Sequence, residues 1–174
     1  MIFTRSLLLI ATLLGSTAEA DTSTLAPELP ALPATAWINS PPLSLAALRG
    51  HPVLIEFWTF DCSNCRNSLP WMKHVHMRYA PRGLAIIAIH SPELAHERDP
   101  AAVSAHVLQL GIRYPVLIDN DFRYWNALGN RFWPAFYLID SEGQVVATRI
   151  GELHAGQHSA DEFERAIAAL ASDT

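Results

Sequence analysis

Cys62 and Cys65 are the only cysteines in a chain of 174 residues, and they stand together as Cys62-Ser63-Asn64-Cys65. A continuous apolar, partly β-branched run of strand length, Val53-Leu54-Ile55-Glu56-Phe57-Trp58, leads into them, and a helical pattern follows directly. Strand, CxxC and helix in that order set two thiols at a helix N-terminus, where unpaired N–H groups and the helix dipole favour an anion. A thiolate is such an anion, and it is the nucleophile of disulfide exchange. The arrangement points to thiol–disulfide redox chemistry. A purely structural disulfide would close a very short loop, where chain-entropy stabilisation is weakest. A zinc site takes about four ligands, and the eight histidines are scattered without a ligand-like cluster. Neither a metal nor a cofactor is expected.

Two carboxylates lie near the pair in sequence. Glu56 interrupts the apolar run, and an ionisable group there must be functional, paired in an internal salt bridge or turned to a sheet surface. Asp61 adjoins Cys62. It either raises the thiol pKa by its charge, against the helix dipole, or caps the helix and points to water. Pro134 follows Trp133 at the start of a strand, where a missing N–H matters least. The histidines read as bland: His74 and His76 fall on different helix faces, and His90 closes a strand in a packing or rim position. Trp71 and Trp125 read as core or rim aromatics.

These residues need a frame. Residues 52–59 show little alternation, as in a strand buried on both faces. Leu69, Met72, Val75 or His76, and Tyr79 then recur at helical spacing, with Pro70 expected to kink the helix and Pro81-Arg82-Gly83 to end it. Leu84 to Ile89 form a second buried strand. After a loop from Ser91 to Pro100, Val103, Val107, Leu108 and Leu110 make the apolar stripe of a helix that stops at Gly111. Val116 to Ile118 is a short strand, and Phe122 to Leu128 a short helix closed by Gly129. Ala135 to Ile139 and Gln144 to Ile150 flank a turn as an antiparallel hairpin. The last helix starts at Ser159 with Glu162 as its capping-box partner, and Phe163, Ala166, Ile167 and Leu170 form its apolar face. The expected class is α/β, a mixed central sheet flanked by helices.

The ordered set resembles the thioredoxin-fold, exported thiol–disulfide oxidoreductases of the TlpA/ResA/DsbE type over Trp37 to Leu170. The match runs from Pro42-Leu43-Ser44-Leu45 and Leu48-Arg49-Gly50 into Phe57-Trp58-x-x-x-Cys62-x-x-Cys65. It continues through Pro70, Trp133-Pro134 and Tyr137-Leu138-Ile139-Asp140-x-x-Gly143. Thr59-Phe60-Asp61 before the cysteines and His90-Ser91-Pro92-Glu93 bring it nearest to the thioredoxin-like domains of DipZ-type proteins. Asp61 departs from the tryptophan common before the first cysteine in that family. The resemblance implies a thioredoxin-like fold with a helix–strand insert over Ser91 to Ile118. It also implies a redox-active Cys62–Cys65 disulfide, with Cys62 attacking and Cys65 resolving, and Glu56 beneath the pair assisting proton transfer. A cis Trp133–Pro134 bond would present backbone to an extended substrate segment. Protein disulfides are then the substrates, a membrane donor of the CcdA/DsbD type the electron source, and the protein a monomer.

The remaining stretches set the address. Arg5, the apolar run Leu7 to Leu14 and Ala18-Glu19-Ala20 read as a signal peptide over residues 1–20. Uncleaved, it would be an N-terminal anchor, though the run is shorter than the ~20 residues of a spanning helix. A Pro-rich leader over 21–35, mobile or extended, precedes a thioredoxin-like domain over 36–174. Export, to the periplasm, fits a chain whose only cysteines form one CxxC in an oxidising compartment. The net charge of −5 gives no electrostatic footprint for nucleic acid. Two rival functions are a peroxiredoxin and a metallochaperone or inert binding module. Thr59-x-x-Cys62 suits the peroxiredoxin, but Ile55 stands where its usual motif has proline. The metallochaperone on this fold usually carries CxxxC and a distal histidine.

Overall fold

The structure, a computed structural model, describes residues 24–171; the signal-peptide reading lies outside the described residues. Seven strands form one mixed sheet in the order β1-β7-β6-β3-β4-β5-β2. They are β1 (Thr24–Leu25), β2 (Trp37–Ile38), β3 (Val53–Trp58), β4 (Ala85–His90), β5 (Val116–Ile118), β6 (Ala135–Ile139) and β7 (Gln144–Ile150). The central strand, β3, runs parallel to β4 and antiparallel to β6. Every residue of β3 is buried, which is why its sequence shows no alternation.

Four helices cover the sheet: α1 (Ser63–Tyr79), α2 (Pro100–Gln109), α3 (Arg123–Ala127) and α4 (His158–Ala171). Leu54 and Trp58 of β3 pack with Trp71, Met72 and Val75 of α1, Val103 and Val107 of α2 and Phe163 and Ile167 of α4. Ile55 and Phe57 face the other way, onto Tyr124 and Trp125 of α3, Ala26, Leu29 and Trp37. Pro70 sits inside α1, which continues through it to Tyr79. The insert over Ser91 to Ile118 supplies α2 and β5, the latter pairing parallel to β4.

Three expectations change. The leader is folded from Thr24 on: β1 pairs with β7, Ala26 and Leu29 are buried, and the Glu28 carboxylate accepts the N–H groups of Leu29, Leu45 and Ala46. Prolines preset extended backbone, and extended backbone lies along a sheet as readily as in water. Leu108 leaves the apolar stripe at 82% exposure, because Val103 and Val107 already define the buried face and the next residue is turned about 100° away. The capping box is absent. α4 begins at His158, Asp161 N–H reaches back to Gln157, and the Glu162 carboxylate pairs instead with Arg149 on β7.

These positions set a stability contrast. Leu29→Ala is expected to cost about 2–4 kcal/mol in urea unfolding, as for a core leucine. Leu108→Ala should stay within about 0.5 kcal/mol.

Candidate active site

The C-terminal end of β3 feeds the turn Thr59-Phe60-Asp61 and then α1. Cys62 is the N-cap of α1: its Sγ accepts the Cys65 N–H at 3.1 Å. The two cysteines are joined as a disulfide with Cα atoms 5.3 Å apart. Cys65 is buried and Cys62 half-buried, so Cys62 is the more accessible residue of the pair. With Cys62 in the cap position, Asp61 is not the cap. Its exposed carboxylate is held by His96 Nε2 at 2.6 Å, and Arg66 lies 4.0 Å away.

Glu56 is buried on the α1 side of the sheet. Period-two alternation places it between Leu54 and Trp58 on that face. It lines a narrow cavity with Trp58, Cys65, Arg66, Leu69, Leu110 and Ile112, whose free space of about 10 Å³ matches one water. The partner of Glu56 is a phenol: the Tyr114 hydroxyl donates to Oε2 at 3.3 Å. Burial pushes the Glu56 carboxyl up to about 8, against the downward pull of that hydrogen bond. At neutral pH it is a carboxylic acid, lining the same cavity as Cys65.

The Trp133–Pro134 bond is cis. Ala135 of β6 pairs with Phe57 of β3 in antiparallel register, so Trp133 and Pro134 lie at the same sheet end as the cysteines. Asp119 builds their support. Its carboxylate caps α3 through the N–H groups of Arg123, Tyr124 and Trp125, and Trp125 packs on Trp133 at 4.2 Å. The Trp133 indole also donates to Ser91 O at 2.9 Å. His90 is a packing residue: its ring stacks on Phe60 and its Nε2 lies 3.1 Å from Thr59 Oγ1.

The structure thus brings Cys62, Cys65 and Glu56 together and sets Trp133 and Pro134 at the same end of the sheet. It also adds residues that the sequence did not single out. Glu97, on the turn Ala95–Arg98, is buried and accepts the Asp61 N–H at 3.1 Å. Tyr114 holds Glu56. Both come from the insert, and neither carries a periodicity or spacing signal that marks it.

The family described as Redoxin matches residues 29–167. The chain belongs to it. Protein DipZ of Mycobacterium tuberculosis (strain CDC 1551 / Oshkosh) is 40% identical to this redoxin over 138 residues, 78% of this chain and 20% of that protein. The redoxin therefore spans about a fifth of the length of that relative. Thiol-disulfide oxidoreductase ResA of Bacillus anthracis is 33% identical over 110 residues, 63% of this chain and 61% of that protein. Among solved structures, a putative thiol:disulfide interchange protein DsbE from Chlorobium tepidum superposes with a TM-score of 0.73 at 24% identity. That likeness covers 87% of this chain and 98% of that one, and it shows the thioredoxin-like fold.

The raised Glu56 carboxyl fixes a pH dependence. Its unfolded value is 4.5 and its folded value about 8, so its stabilising protonated form is complete below the unfolded value and lost as pH rises through the folded one. Glu56→Gln removes this loss. The oxidised variant should match the parent near pH 4 and exceed it by roughly 1–3 kcal/mol above pH 8 in urea unfolding.

Proposed function

We propose that this redoxin is an exported thiol–disulfide oxidoreductase that reduces protein disulfides through Cys62 and Cys65. The observation that carries this reading is the asymmetry of the pair: a more accessible cysteine and a buried one at a single helix N-terminus, with a protonated carboxyl in the cavity that the buried one lines.

In the reduced protein the Cys62 thiolate attacks a substrate disulfide and one substrate sulfur leaves, giving a mixed disulfide. The Cys65 thiol then loses its proton, and its thiolate attacks Cys62 Sγ, releasing the second substrate sulfur and closing the protein disulfide. Glu56 accepts the Cys65 proton in its ionised form, which is the minority at pH 7 and grows as pH approaches about 8. Its pKa of about 8 lies close to the ~8.5 of an ordinary thiol, so the transfer between them is nearly balanced in either direction. When a donor dithiol recharges the protein, Cys65 leaves as thiolate and Glu56 returns the proton.

Trp133 and Pro134 form the substrate rest. Backbone at this end of β6, beside the accessible sulfur, is suited to pairing with an extended substrate segment. Export is supported by Arg5, the Leu7 to Leu14 run and Ala18-Glu19-Ala20. Resemblance to DipZ-type domains supports a membrane electron donor of the CcdA/DsbD type. Among the described residues no helix is long and apolar enough to cross a membrane.

Cys65→Ser should accumulate mixed disulfides through Cys62 when presented with oxidised substrate, while Cys62→Ser should accumulate none; trapping through Cys65 would reverse the roles. The parent should reduce insulin disulfides with dithiothreitol as donor. Faster consumption of peroxide than of insulin disulfides would favour a peroxidase instead. The potential of the pair should fall near the ~−270 mV of thioredoxin, and a value near ~−120 mV would make the protein an oxidant.

A further inference from the structure

Two carboxylates near the pair in sequence do not carry an unbalanced charge to Cys62. Asp61 is exposed and held by His96 and Arg66, where ion pairing and solvent weaken its field. Glu56 is neutral at pH 7, its carboxyl pushed up to about 8 by burial. A third carboxylate, far off in sequence, takes the place they leave.

Glu97 is fully buried and gathers three backbone donors on two oxygens. They are the N–H groups of Glu93 and Leu94, each at 2.7 Å, and the N–H of Asp61 at 3.1 Å. His90 brings no positive charge, since burial drives it down to about 4. Burial would raise the Glu97 carboxyl, and the Thr59 side chain together with the N–H groups of Leu94, Asp61 and Glu93 more than offsets that, so it stays ionised. The result is a desolvated anion tied to the peptide N–H of the residue before Cys62. It sits at the helix end whose dipole would otherwise favour a thiolate.

We propose that Glu97 is the positioning residue that sets the redox balance of the pair: it holds the turn leading to Cys62 and, by its charge, disfavours a thiolate there, leaving the dithiol the weaker partner and the protein reducing. The inference rests on Cys62 being the attacking thiol of the function proposed above.

The test equilibrates the full chain, Glu97→Gln and Glu97→Asp with dithiothreitol and its cyclic disulfide. In this equilibrium two electrons and two protons pass from the reagent to the Cys62–Cys65 disulfide, which opens as the reagent closes. Asp61, Arg66, His90, His96, His106 and Glu56 are the same in all three proteins and cancel in the comparison. At about pH 9, above the ~8.5 of an ordinary thiol, Glu97→Gln should shift the equilibrium toward the protein dithiol by roughly tenfold, or about 30 mV. At about pH 6 both thiols hold their protons, and the shift should fall below about twofold. Glu97→Asp keeps the charge but draws it back from the turn, so it should shift the balance in the same direction by less. It also decides the question if Glu97→Gln does not fold. A shift of equal size at both pH values, or no shift in any variant that folds, marks a packing role and overturns the proposal. Insulin reduction by the parent is scored separately: its failure alongside an intact pH-dependent shift would count against the reductase reading and not against Glu97.

Discussion

Everything at the reactive end depends on the complete burial of β3. A strand flanked by β4 and β6, and covered on both faces, cannot shift in register without turning Leu54, Phe57 and Trp58 out of their cores. Its C-terminus is therefore a fixed point, and the turn that follows must deliver Cys62 to the start of α1 from there. The same fixed register leaves Glu56 on the α1 side, where it lines one cavity with Cys65. A sulfur and a carboxyl that share a cavity are thus held by a strand paired on both sides and buried on both faces.

Three carboxylates surround this end, and their fates differ because their solvation differs. Asp61 is in water, hydrogen-bonded to His96 and facing the Arg66 guanidinium. Glu56 is buried and has a single phenolic donor, so it holds its proton. Glu97 is buried as well but has backbone donors in number, so it keeps its charge. Position along the chain ranks them wrongly. Asp61 adjoins Cys62, yet the carboxylate that the insert carries in is the one left buried and ionised.

This contrast also marks how far the sequence could be read. β3, β4 and the β6–β7 hairpin were legible because buried strands and tight turns write themselves into composition. Cys62, Cys65 and Glu56 were legible because each breaks an apolar pattern at a fixed spacing. Glu97 was not: it lies in the loop from Ser91 to Pro100, where no periodicity separates a buried acid from a solvated one. The early residues misled for a related reason. Prolines signal extended chain, and nothing in Pro27, Pro30 and Pro33 says whether that chain lies on a sheet. Leu108 failed in the opposite sense, since an apolar residue one position off a short stripe looks like part of it.

The placement of β1 and β2 has a mechanical consequence. They are the two outermost strands of the sheet, yet they are joined directly by residues 26–36. Crossing the sheet takes six inter-strand steps of ~4.8 Å, about 29 Å in all. A link of this length reaches ~36–40 Å when extended, so it has little slack, the more so because Ala34–Ala36 are wound into a 3-10 turn. The segment is a strap fastened at both edges. Between those edges it is pinned again, by buried Ala26 and Leu29 and by the Glu28 carboxylate on Leu45 and Ala46, so loss of one edge strand leaves the strap held at its middle.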